Sequence, residues 1–109
     1  MNTRDMSFWL SCLGGLLTQF KSSPKENNQL AMTHAMHEYQ AAITNGLLRP
    51  KMTTGEPWRR AANLSDWYRL QLDDALICFQ INPTDERFKA IEALMKEYRD
   101  AVFTGKVKP

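Results

Sequence analysis

A chain of 109 residues, 43% hydrophobic and 24% charged, has room for one modest core, and this composition argues against a disordered or low-complexity polypeptide. A net charge of +2 and a pI near 8.6 fall short of the strongly basic balance of many nucleic-acid-binding domains. The charge is local. Residues 47–60 (LLRPKMTTGEPWRR) hold Arg49, Lys51, Arg59 and Arg60 against one acid, Glu56, so any anion-binding surface is a single patch.

The first residues carry Arg4 ahead of an apolar run from Phe8 to Leu17. Asp5 cancels Arg4, and Ser11 and Cys12 interrupt the run, which makes a poor signal peptide. No stretch reaches the roughly 20 apolar residues of a spanning helix, and the expected location is the cytoplasm. A first helix is expected over about 7–21. Phe8, Cys12, Leu16 and Phe20 fall at helical spacing, with Trp9, Leu13 and Leu17 beside them. So wide a stripe implies deep burial or a partner, and it offers a route to a homodimer. Gly14 and Gly15 in its middle imply close approach of a neighbouring helix or a kink.

A second helix is expected over about 24–45, with Met32, Met36, Tyr39 and Ile43 on one face and Asn45-Gly46 as its stop. A third is expected from Pro57 to about residue 81, lined by Ala61, Leu64, Tyr68, Leu72, Ala75 and Phe79. Within it, NLSD (63–66) is a possible interruption, because Asn and Ser-Asp favour caps. A fourth covers about 84–104, with Thr84 as N-cap, Asp85 and Glu86 at the positive end of the dipole, and Phe88, Ile91, Met95, Tyr98 and Val102 as its apolar stripe. Glu92 and Lys96 stand at ion-pair spacing, and the tail 106–109 is expected to fray. No segment alternates with period two. There is no internal repeat of solenoid length and no linker-like stretch. The expected architecture is all-α: one domain, 1–109, a bundle of four helices with helices three and four as an antiparallel hairpin.

Candidate chemistry is sparse. His34, His37 and Glu38 lie on about one turn of helix two, but their order is not that of a zincin, and no fourth ligand stands nearby in the sequence. Asp73 and Asp74 are adjacent, so they point about 100° apart and cannot share a proton. Cys12 and Cys78 sit among apolar residues and read as two buried thiols. The glycines of CLGGLL lack the Lys-Ser/Thr of a phosphate loop. No catalytic role, cofactor or metal is expected.

The connector remains the best candidate site, with Arg49, Lys51, Trp58, Arg59 and Arg60 as its residues. Trp and Arg are the residue types most enriched at binding hot spots. The expected function is non-catalytic protein binding, as an adaptor, regulator or inhibitor of a larger assembly. The alternative is a nucleic-acid-binding accessory protein, whose basic residues contact phosphates while Trp58 stacks on a base. Asp66, Asp73 and Asp74 on helix three weigh against duplex DNA. The plainest reading is a solvated loop whose cations pair with neighbouring acids.

Overall fold

Each apolar stripe is helical in the computed structural model, which describes residues 6–46 and 63–108. The four helices are α1 (Met6–Ser22), α2 (Glu26–Thr44), α3 (Leu64–Ile81) and α4 (Asp85–Phe103), and there is no strand among the described residues. The all-α bundle is therefore as expected. Two boundaries differ by more than one residue among the described residues: α2 begins at Glu26 and not at residue 24, and α3 does not run through residue 63. Asn63 is extended (φ −156°, ψ −179°), and its Oδ1 accepts the backbone N–H of Asp66 at 2.8 Å. It thereby satisfies one of the orphan donors of the first turn, so the helix starts at Leu64. Residues 57–62 of the expected third helix lie outside the described residues.

The core is one cluster fed by all four helices. Trp9, Leu13, Leu17 and Phe20 come from α1, and Met32, Ala35, Met36 and Tyr39 from α2. Leu72, Leu76 and Phe79 come from α3, and Phe88, Ile91, Met95, Tyr98 and Ala101 from α4. The broad stripe of α1 thus narrows to residues that point into the chain's own interior, while Phe8 is left partly exposed. Gly14 and Gly15 meet no neighbouring helix: a Cβ added at either finds nothing within 4 Å.

The two halves of this core follow one pattern. Residues 6–46, shifted by 59 positions onto residues 65–105, align without a gap. Leu13, Leu17, Phe20 and Pro24 of the first hairpin become Leu72, Leu76, Phe79 and Pro83 of the second. Met36, Tyr39, Ala42 and Gly46 become Met95, Tyr98, Ala101 and Gly105. This pattern is longer than a solenoid repeat, and its identities are scattered among unlike residues.

The geometry repeats with the sequence. Tyr39 donates its hydroxyl hydrogen to the Gln80 carbonyl at 2.6 Å, and Tyr98 donates to the Lys21 carbonyl at 2.6 Å. Both acceptors are among the last four carbonyls of a helix, which lack an intrahelical partner. The Phe20 and Tyr98 rings lie 5.9 Å apart, and the equivalent Phe79 and Tyr39 rings 5.7 Å. Both α2 and α4 end on a glycine with positive φ, Gly46 at +74° and Gly105 at +81°. In each, that glycine N–H bonds back to the carbonyl three residues earlier, as a left-handed C-terminal turn requires.

The hairpins α1–α2 and α3–α4 pack through α1 against α3 and α2 against α4. The tyrosine bonds fix the directions. The ends of α1 and α4 lie at one end of the bundle, and those of α2 and α3 at the other. Hence α2 finishes at the end opposite to that where α3 starts, and residues 47–62 join those two points. Residues 106–108 are docked where fraying is expected: Lys106 and Val107 donate backbone N–H bonds to the Ala101 carbonyl, Val107 is 6% exposed, and Ser65 Oγ donates to the Lys108 carbonyl at 2.6 Å.

Candidate functional site

The residues expected to bind a partner, Arg49, Lys51, Trp58, Arg59 and Arg60, all lie outside the described residues. The described bundle offers a second candidate: a groove of about 620 Å³ where the α1–α2 turn meets the last turn of α4. Ser22, Ser23, Pro24, Lys25 and Glu26 form one wall, and Arg99, Asp100, Val102 and Phe103 the other. Phe103 is 91% exposed, the most exposed of the large apolar side chains described. An aromatic ring in water at the rim of a concave surface is the pattern of a binding site more than of a folding requirement.

The repeated pattern supplies a control for this groove. At the opposite end of the bundle the same backbone elements meet, and there Gln40 bridges them beside a smaller pocket of about 190 Å³. Its Nε2 donates to the Pro83 carbonyl at 3.0 Å and to Asp85 Oδ1 at 2.8 Å. Arg99 occupies the position of Gln40 and makes no hydrogen bond or ion pair among the described residues. Ser22 stands in place of Ile81, and Phe103 in place of Thr44. The helix starts differ as well. Thr84 Oγ1 caps α4 by accepting the Arg87 N–H at 3.2 Å, whereas Lys25 gives α2 no side-chain cap. One end is bridged by hydrogen bonds and keeps only that smaller pocket, and the other has no such bridge among the described residues. In the walls of the groove Lys25 and Arg99 are matched in number by Glu26 and Asp100, so its described charges sum to zero.

The remaining candidates do not converge. His34 Nε2 sits 3.0 Å from Glu38 Oε1, an i,i+4 pair on the surface of α2. His37 packs its ring on Phe88 instead, with centroids 4.4 Å apart. Among the described residues no three His, Cys, Asp or Glu side chains are placed to hold a metal ion. Asp73 pairs with Lys21 at 2.6 Å across the hairpins, while Asp74 faces solvent. Glu92 and Lys96 form no ion pair among the described residues.

Cys12 is half-buried, but Cys78 is exposed, against the expectation of two buried thiols. Cys78 is one residue, about 100° of helix, away from the buried Phe79, and its counterpart in the first hairpin is the exposed Gln19. No described helix is long and apolar enough to cross a membrane. The chain matches no protein-family model, no curated protein and no solved structure.

Proposed function

We propose that this chain is a small protein-binding module, acting as an adaptor, regulator or inhibitor of a larger assembly and carrying no catalytic site of its own. The observation that supports the reading is the groove with its solvent-exposed Phe103, set against the smaller, hydrogen-bond-bridged pocket at the other end of the same bundle. Hot-spot clusters combine an aromatic anchor with arginine, and Phe103 with Arg99 has that composition. The basic connector, with Arg49, Lys51, Trp58, Arg59 and Arg60, is a second docking element in this reading.

The test is quantitative affinity capture from cell extract with three baits: the wild type, Phe103→Asp, and the Trp58→Ala, Arg59→Ala, Arg60→Ala triple variant. A partner held by the wild type is expected to drop at least tenfold with Phe103→Asp, at unchanged helicity and melting temperature. Equal capture by all three baits sinks the reading. The alternative, nucleic-acid binding through residues 49–60, is separated by fluorescence anisotropy with single-stranded and duplex oligonucleotides. Binding that weakens steeply with salt and is lost on reversing Arg59 and Arg60 favours phosphate contacts.

A further inference from the structure

An interface between two hairpins of one pattern is of the kind a homodimer makes. Each contact occurs twice with the roles exchanged: Tyr39 to the Gln80 carbonyl and Tyr98 to the Lys21 carbonyl, Phe20 on Tyr98 and Phe79 on Tyr39. That is the isologous arrangement of two-fold dimers. Here it is closed within a single chain. We propose that a second copy of this chain binds by exchanging hairpins, its α3–α4 docking on the first chain's α1–α2 and the reverse. Both composite bundles then keep every contact between hairpins seen within one chain.

One contact chooses this arrangement over the pairing of like hairpins. Lys21 and Asp73 form an ion pair across the hairpins at 2.6 Å, with both side chains mostly buried. Their two-fold equivalents are Gln80 and Gly14, which form no second pair. If two first hairpins met, Lys21 would face Gly14, and if two second hairpins met, Asp73 would face Gln80. The pair survives only when a first hairpin meets a second one. Within one chain the exchange competes with a tethered partner at an effective concentration of about 1 mM, so it calls for high local concentration or a weakened intramolecular contact.

Charge reversal supplies the second condition. In the Lys21→Glu chain two carboxylates face each other across the hairpins, and in the Asp73→Lys chain two ammonium groups do. In an exchanged heterodimer both mismatches vanish. One bundle joins the two substituted hairpins, with a carboxylate at position 21 against an ammonium at position 73. The other joins the two unsubstituted hairpins and holds the native Lys21 with Asp73. The two variants are denatured, mixed, refolded together and weighed by native mass spectrometry. The expected product is a 1:1 dimer at twice the 12.6 kDa of the chain, at least tenfold more abundant than either variant's own dimer. In a second arm, wild-type and ¹⁵N-labelled wild-type chains are refolded together at about 1 mM, and a mixed-isotope dimer is expected. Two separate monomers, or only dimers of like variants, overturn the proposal even where a mixed-isotope dimer forms, because simple association also mixes isotopes. Variants that fold only as the mixture support it.

Discussion

The first hairpin and the second share one backbone plan and differ almost entirely in what they show to water. Five shared pairs, Leu13 with Leu72, Leu17 with Leu76, Phe20 with Phe79, Met36 with Met95 and Tyr39 with Tyr98, are buried, while the shared Gly46 and Gly105 are exposed at the helix ends. Their differences fall at the surface, at the helix starts, at the ends of the bundle and, in pairs such as Met32 with Ile91, in the core. The comparison sorts the molecule. What both halves keep is what folding needs. What one half alone has, such as the groove beside Phe103 or the Lys21–Asp73 pair, is free to serve something else.

The sharpest way to break that comparison is to cut the same side chain from each half. Leu13 and Leu72 are both 0% exposed and occupy equivalent sites. Either Leu→Ala change is expected to cost about 3 kcal/mol, since it removes methyl groups and leaves a cavity. Urea denaturation of the two variants checks this. If one loss exceeds the other by more than a factor of two, the halves are not energetically equivalent.

The tyrosines come next. Tyr39→Phe and Tyr98→Phe each remove a donor and strand a helix-terminal carbonyl, at a cost of about 1–3 kcal/mol. The Tyr39 bond is fully buried and the Tyr98 bond only partly, so water can replace the second but not the first. Tyr39→Phe is therefore the more damaging of the two by chemical denaturation. The reverse order would mean that the two bonds do not differ in access to water.

Helix starts give a smaller and more diagnostic effect. Thr84→Ala deletes the cap of α4 and is expected to cost about 1 kcal/mol. Lys25→Thr imports the same cap at the equivalent position of α2, and is expected to raise the stability by a comparable or smaller amount. An unchanged melting temperature for Lys25→Thr would show that the first turn of α2 is already served, for instance by Asn27, whose Oδ1 accepts the Asn28 N–H at 3.0 Å.

The helices are legible in the sequence because their apolar residues recur near the 3.6-residue period, and Thr84 announces its cap by the acids that follow it. The start of α3 is half legible: Asn63 has the chemistry of a cap, but Pro57 upstream is the stronger helix signal. The shared pattern is hidden by sparse identities, such as Leu13, Leu17 and Phe20, separated by residues that change with the surface they face. Aligned, it places Cys78 with Gln19 and so on the outside. The groove escapes a reading by periodicity because turn residues build its wall, and periodicity says nothing about turns. Its one signal is Phe103, an aromatic ring next to the apolar stripe that ends at Val102 and off its line. The connector residues stand out by charge alone, which says what they are and not what they meet.

The smallest expected effect tests the symmetry most directly. Gly14 and Gln80 occupy the places that Asp73 and Lys21 hold on the other side of the pseudo-two-fold. Space is open at Gly14, where an added Cβ meets nothing within 4 Å. Gly14→Ala should stabilise α1 by up to about 1 kcal/mol through helix propensity alone. Gly14→Asp combined with Gln80→Lys should write the second ion pair into the bundle; residue 80 is 5% exposed, so Gln80→Lys alone is expected to destabilise, and the added carboxylate to recover part of that loss. The coupling is read from a double-mutant cycle, which cancels the propensity change at residue 14. A zero coupling would mean that the pseudo-two-fold holds for the aromatic core but not at the α1–α3 margin. The Lys21–Asp73 contact would then owe its geometry to features of its own side of the bundle, and not to a site that both halves inherit.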